Sequence, residues 1–78
     1  MSRVALVTGA SSGIGKRIAE ELARIRYKVI ITARSIDKLY TISSKIHDNG
    51  GQCIPVPMDI SIPEEILNLK KITLKHGI

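Results

Sequence analysis

Apolar residues along this chain alternate between two kinds of pattern. Val4, Ala5, Leu6 and Val7 form a short unbroken run, which fits a strand buried on both faces better than a half-exposed one. It reads as a central parallel strand. Ile14, Ile18, Leu22 and Ile25 then recur at the spacing of one helical face. Val29 to Thr32 is a second strand-type run, followed by Ala33-Arg34-Ser35. Ser35 is placed to cap a helix whose apolar positions Ile36, Leu39, Tyr40, Ile42 and Ile46 recur every three or four residues and end at Asn49-Gly50-Gly51.

A third run, Cys53 to Met58, contains Pro55 and Pro57. Proline cannot donate to a ladder, and residues two apart direct their N–H groups the same way. Both missing donors then face one side, so this strand is expected at the sheet edge, with Ile54, Val56 and Met58 pairing inward. Ser61-Ile62-Pro63-Glu64 reads as a capping box with proline in the first turn of a last helix carrying Ile66, Leu67, Leu69 and Ile72. No internal repeat, linker or low-complexity segment interrupts the order. The pattern predicts an α/β fold, one βαβαβ unit with a trailing helix and strand order 3-2-1, the first half of a doubly wound parallel sheet of Rossmann type.

Glycines 9, 13 and 15 fall between the first strand and the first helix. Glycine spacing alone is weak evidence, but glycines at a strand-to-helix turn have a mechanism. Gly9 allows the tight turn, Gly13 lets the backbone approach a pyrophosphate, and Gly15 lets the helix lie close to the strand. The unpaired N–H groups from about Ser12 to Gly15 then point at an anion, with the positive end of the helix dipole behind them. Gly9, Ser11, Ser12, Gly13, Ile14 and Gly15 are the candidate cradle. The bland alternative is a glycine-rich loop without a ligand. A P-loop is excluded, because Gly15 is followed by Lys16 and Arg17 rather than by Lys and a hydroxyl residue.

The string Thr8-Gly9-Ala10-Ser11-Ser12-Gly13-Ile14-Gly15 resembles the TGxxxGxG motif of the short-chain dehydrogenase/reductase family, matching all four fixed positions. The likeness extends to about Ile66. It implies a cofactor-binding Rossmann start and an oxidoreductase that transfers hydride between a nicotinamide and a carbonyl or alcohol. It also implies that Asp59 contacts the adenine amine and that Ile60 lies in its neighbourhood. Read without the family, Asp59 followed by Ser61 is turn and capping chemistry. One departure stands out: where the family usually carries glycine before the second strand, this chain has Arg26. If the backbone turns left-handed there, the residue costs roughly 1 kcal/mol or more.

The end of the second strand decides between cofactors. An acidic residue about 20 positions past the glycines usually holds the ribose hydroxyls of NAD, whereas an arginine there accommodates the 2′-phosphate of NADP. Counting on from Gly15 reaches Ala33-Arg34-Ser35, with no carboxylate. Arg34 offers a planar fork matched to phosphate oxygens, and Ser35 adds a hydroxyl and a backbone N–H. The expected cofactor is NADP. The competing reading leaves Arg34 solvated and gives the ribose to Asp37, which lies inside the next helix.

Composition narrows the remaining classes. Seventy-eight residues make one small domain at most, and such a chain buries only about 60 to 65% of its unfolded surface. There is no Phe or Trp, so the core is built from Ile, Leu and Val. The net charge of +5 invites a nucleic-acid reading. The basic residues, however, are spread over several segments, and Lys16–Glu20, Arg17–Glu21 and Glu20–Arg24 are spaced as helical i, i+4 pairs. Without an aromatic platform or a zinc or helix-turn-helix signature, a solvated basic surface is expected and no nucleic-acid partner. Cys53 is the sole cysteine and reads as a small core residue; no disulfide can form within the chain. No run approaches membrane-spanning length and no metal cluster is expected, so a cytoplasmic protein is the default.

The family's catalytic residues are a Tyr-x-x-x-Lys pair, a serine and an asparagine, and no such pair occurs. Tyr40 is followed four positions later by Ser44, and Tyr27 by Ile31; Lys45 falls at five, about 140° around the helix from Tyr40. The Asn-Asn-Ala-Gly stretch of the next strand is also absent, and His47 and His76 are expected to be solvated. Residues 1–78 therefore read as a partial NAD(P)-binding Rossmann domain truncated before the fourth strand, inert by itself, with no catalytic residue. A small-molecule substrate enters only if the chain continues. The first strand would then have an unpaired edge, through which the chain associates or because of which it folds poorly. The alternative is a stand-alone nucleotide-binding or interaction module that completes its sheet with a partner.

Overall fold

The sheet forms because each strand run is short, rich in Val and Ile, and separated from the next by a helix long enough to carry the chain back in the same direction. The computed structural model describes residues 3–11, 13–59 and 61–76. Its elements are β1 (Val4–Thr8), α1 (Gly13–Arg24), β2 (Lys28–Ala33), α2 (Ile36–Asp48), β3 (Gln52–Pro57) and α3 (Pro63–Lys75). The strands form one parallel sheet in the order β1-β2-β3. The register sets Thr8 beside Thr32 and Thr32 beside Val56. This is the α/β architecture and the 3-2-1 order that the pattern predicts.

Side chains on a strand alternate between faces. Val7, Val29, Ile31 and Cys53 share one core with Ala19 and Ala23 of α1 and Leu39, Ile42 and Ile46 of α2. The intervening residues, among them Ile30 and Thr32, face the other side, where α3 buries Leu69 and Thr73. Burial pushes the Cys53 thiol up, opposed by a hydrogen bond with Ser43, which leaves it a core residue without nucleophilic character.

Three expectations are corrected here. β1 is not buried on both faces: Leu6 is 38% exposed, and among the described residues β1 pairs only with β2. The strand buried on both faces is β2, whose Val29, Ile30, Ile31 and Thr32 are all buried, with a strand on each side. The buried stripe of α1 is not Ile14, Ile18 and Ile25, all of which are exposed. Ala19 and Ala23 are buried instead, one and two helical turns on from Gly15. Small residues win because they let the helix axis come close to the strands, whereas isoleucines on that stripe would hold it off. Finally, the ion pairs within α1 are redistributed. Glu20 reaches across to Lys45 of α2 at 2.7 Å, and Arg24 pairs with Glu21 at 2.8 Å.

The edge assignment of β3 holds. Met58 donates its N–H to the Ala33 carbonyl at 3.0 Å, so the even positions bond inward and Pro55 and Pro57 turn their missing donors outward. α1 ends as its sequence foreshadows, with Arg26 at φ 78°. Arg26 N–H reaches the Ala23 carbonyl at 3.1 Å and Tyr27 N–H the Leu22 carbonyl at 2.9 Å, the paired bonds of a left-handed helix stop. α2 ends the same way, with glycine at that place: Gly50 has φ 83°.

Candidate nucleotide-binding site

The carboxyl ends of the three strands converge at one end of the sheet, where open α/β folds bind ligands. Gly9 and Gly13 adopt φ 64° and 51°, values at which a Cβ is strained. These two reversals bend the chain sharply between β1 and α1. Gly15 serves a different purpose: a Cβ there would lie 2.5 Å from the Gly9 carbonyl oxygen and 3.2 Å from the Ala10 Cα. Only a hydrogen fits, so α1 begins in contact with the turn. Ala10 is fully buried, and its N–H donates to the Thr32 carbonyl at 3.0 Å, tying the turn to the end of β2.

The first turn of α1 carries no acidic side chain, while Lys16 and Arg17 follow Gly15 directly. The helix N-terminus therefore presents positive potential undiminished by a carboxylate in its own first turn. Ile14 is 79% exposed beside it. Ser11 is half-buried and lines a cavity of about 290 Å³ with Lys16, Asp37, Lys38, Thr41 and Ile42. Ser12 and Ile60, both among the expected site residues, lie outside the described residues.

Arg34 follows β2 directly and is exposed, without a hydrogen bond or ion pair among the described residues. Ser35 caps α2, its hydroxyl accepting the Lys38 N–H at 3.5 Å. Asp37 sits in the first turn of α2, as the sequence places it. The neighbouring strand end brings Asp59 alongside, because the Met58-to-Ala33 bond aligns the two chain segments. The Ser61 hydroxyl donates to Asp59 Oδ1 at 2.6 Å and the Ser61 N–H to the same oxygen at 2.9 Å. These bonds, with a smaller contribution from the Arg34 charge, hold the Asp59 carboxyl below the usual carboxylate range.

The capping box at Ser61 and Glu64 does not form. The N-cap of α3 is Ile62, with no side-chain cap bond. Ser61 is turned back to Asp59, and it is Glu65 whose carboxylate accepts the Asp59 N–H. The tight Asx turn at Asp59 competes for the serine and wins because it offers an ionised acceptor. Sequence reasoning also missed Lys38, which joins Ser11 and Lys16 around the cavity. Nothing in its local sequence set it apart from the other surface lysines, because the cavity joins the first turns of two different helices. The histidines are not simply solvated. His47 Nε2 lies 3.1 Å from the Cys53 carbonyl oxygen, and Lys28 Nζ lies 3.2 Å from His76 Nδ1. Neither is at the carboxyl end of the sheet. A larger cavity of about 530 Å³ opens between the C-terminal ends of α1 and α2, lined by Arg24, Arg26, Lys45 and Asn49. It is at the far end from the glycine turn.

A family model described as short chain dehydrogenase matches residues 3–76. The chain belongs to the short-chain dehydrogenase family. Peroxisomal 2,4-dienoyl-CoA reductase of Danio rerio is 40% identical over 74 residues, covering 94% of this chain and 25% of that protein. A metagenomic short-chain oxidoreductase solved in complex with NADP superposes with a TM-score of 0.91 at 35% identity, over 97% of this chain and 35% of the other. An actinorhodin polyketide ketoreductase with NADPH gives 0.89 at 33% identity, over 96% and 29%. This family member's sequence thus spans between a quarter and about a third of the length of these three relatives. Among its described residues there is no helix long and apolar enough to cross a membrane and no cluster of metal-ligating side chains.

Proposed function

We propose that this chain is the NADP-binding opening of an oxidoreductase that moves hydride between NADPH and a carbonyl or alcohol, residues 1–78 forming its partial cofactor domain. One observation carries the cofactor reading. The Ala10 N–H to Thr32 carbonyl bond, 3.0 Å long, fastens the glycine turn to β2 two residues before Arg34, so one nucleotide can touch both. The turn and the N-terminus of α1, through Gly9, Ser11, Ser12, Gly13, Ile14 and Gly15, take the pyrophosphate. Arg34 and Ser35 take the 2′-phosphate, and Asp59 and Ile60 flank the adenine. NADP in two of the related solved structures supports this choice.

When bound, the nicotinamide supplies the hydride acceptor or donor; the residues of this chain hold and orient the nucleotide. The catalytic Tyr-x-x-x-Lys pair is absent from the sequence, so the chain by itself binds without turning over, and substrate enters only through further protein. A second reading, a stand-alone nucleotide-binding module completed by a partner strand, draws on the edge of β1 that no described residue pairs. A cytoplasmic location belongs to the proposal, with subcellular fractionation as its test.

Calorimetric titration of the chain with NADPH and NADH tests the cofactor. Tighter binding of NADPH is expected, with Arg34→Ala erasing most of the preference; the removal of one charge-assisted phosphate contact corresponds to roughly ten- to a hundredfold. Preference for NADH would overturn the assignment.

A further inference from the structure

The open side of β3 has an unusual account of its backbone donors. Met58 bonds inward to Ala33 at 3.0 Å, so the odd-numbered residues direct their N–H positions away from β2. At Pro55 and Pro57 no hydrogen exists. At Asp59 it does, and the Glu65 carboxylate, from the first turn of α3, accepts it. The rest of Asp59 is pinned as well: its carbonyl accepts the Ile62 N–H at 3.0 Å, and Oδ1 accepts both Ser61 donors. Among the described residues, every local group of Asp59 is therefore engaged except Oδ2.

We propose that Glu65 is a positioning residue of the adenosine end of the site. By holding the Asp59 N–H it locks the turn after β3, so that the free oxygen of Asp59 is presented beside Arg34 rather than swinging with a loose loop. Glu65 touches no nucleotide atom itself. It acts through Asp59, and its own charge is favoured at the N-terminus of α3. The proposal rests on the nucleotide reading above, and goes beyond it in naming a residue outside the glycine turn and outside the strand ends.

The test compares Glu65→Ala with Glu65→Gln. Both lose the negative charge, but glutamine keeps an acceptor oxygen, so their difference isolates the hydrogen bond. Two probes are titrated by calorimetry: adenosine 2′,5′-bisphosphate, which uses the Arg34–Asp59 end, and inorganic pyrophosphate, which uses the glycine turn. Glu65→Ala is expected to weaken the bisphosphate roughly tenfold, the size of one hydrogen bond to a charged group, with pyrophosphate unchanged and Glu65→Gln near the parent. Equal bisphosphate affinity in all three chains overturns the proposal, and so does loss of both probes together, which would mean a folding role only. If the unsubstituted chain ignores the bisphosphate, the nucleotide reading fails instead. The Asp59 carboxyl, followed by carbon NMR, then judges the lock: ionisation at higher pH in the alanine than in the glutamine variant supports it, and coincident curves overturn it.

Discussion

Gly15 stands so close to Gly9 that a Cβ on the former would lie 2.5 Å from the carbonyl oxygen of the latter. Backbone, not a flexible side chain, is in the way, so relief requires moving the turn or the helix. Gly15→Ala should therefore lower stability by about 1–3 kcal/mol despite the better helix propensity of alanine, and should weaken NADPH binding as the cradle opens. Urea denaturation checks the first part; an unchanged or raised midpoint would contradict the close approach.

Arg26 pays a conformational cost that Gly50 avoids. Both residues end a helix in the left-handed region, at φ 78° and 83°, but only the glycine lacks a Cβ. Arg26→Gly should stabilise the chain by about 1 kcal/mol, an increase of roughly 4–8 °C in Tm for a domain of this size. Differential scanning calorimetry reads it directly, and a fall in Tm would mean that the arginine side chain makes a compensating contact.

Thr32 is 1% exposed and its hydroxyl has no hydrogen-bond partner among the described residues. An unpaired buried hydroxyl costs about 1–3 kcal/mol. Thr32→Val keeps the β-branched shape that the strand favours and removes the penalty, so the variant should unfold at higher urea. Its carbonyl bond to Ala10 is untouched, and NADPH affinity should stay within about twofold, a difference of a few tenths of a kcal/mol.

Asp59 gives a pH dependence with a definite sign. Its carboxyl is held low by the two Ser61 bonds and, less strongly, by Arg34. A folded-state value below the unfolded one means that its contribution is complete above the ordinary aspartate value, about 4, and is lost as pH falls through the folded-state value. Ser61→Ala should move the Asp59 titration up toward the ordinary range and flatten the acid limb of the stability curve. Carboxyl NMR on the two chains measures the shift; identical titrations would remove the Ser61 hydroxyl as its cause.

The α/β order, the outer position of β3, the cap at Ser35 and the awkward stop at Arg26 were all legible in the amino-acid order, because each depends on local chemistry: apolar period, a missing N–H, a hydroxyl before a helix, a Cβ where none is wanted. So was the glycine turn, since its spacing and its flanking strand and helix lie within one stretch of chain. Tertiary structure alone decided which stripe of α1 is buried, because Ala19 and Ala23 prevail over isoleucines only when the helix is pressed against β1 and β2. It alone turned Ser61 from α3 to Asp59, sent Glu20 across to Lys45, and set Asp59 beside Arg34, for these choices are made by partners distant in sequence and by the alignment of strand ends that the Met58–Ala33 bond imposes.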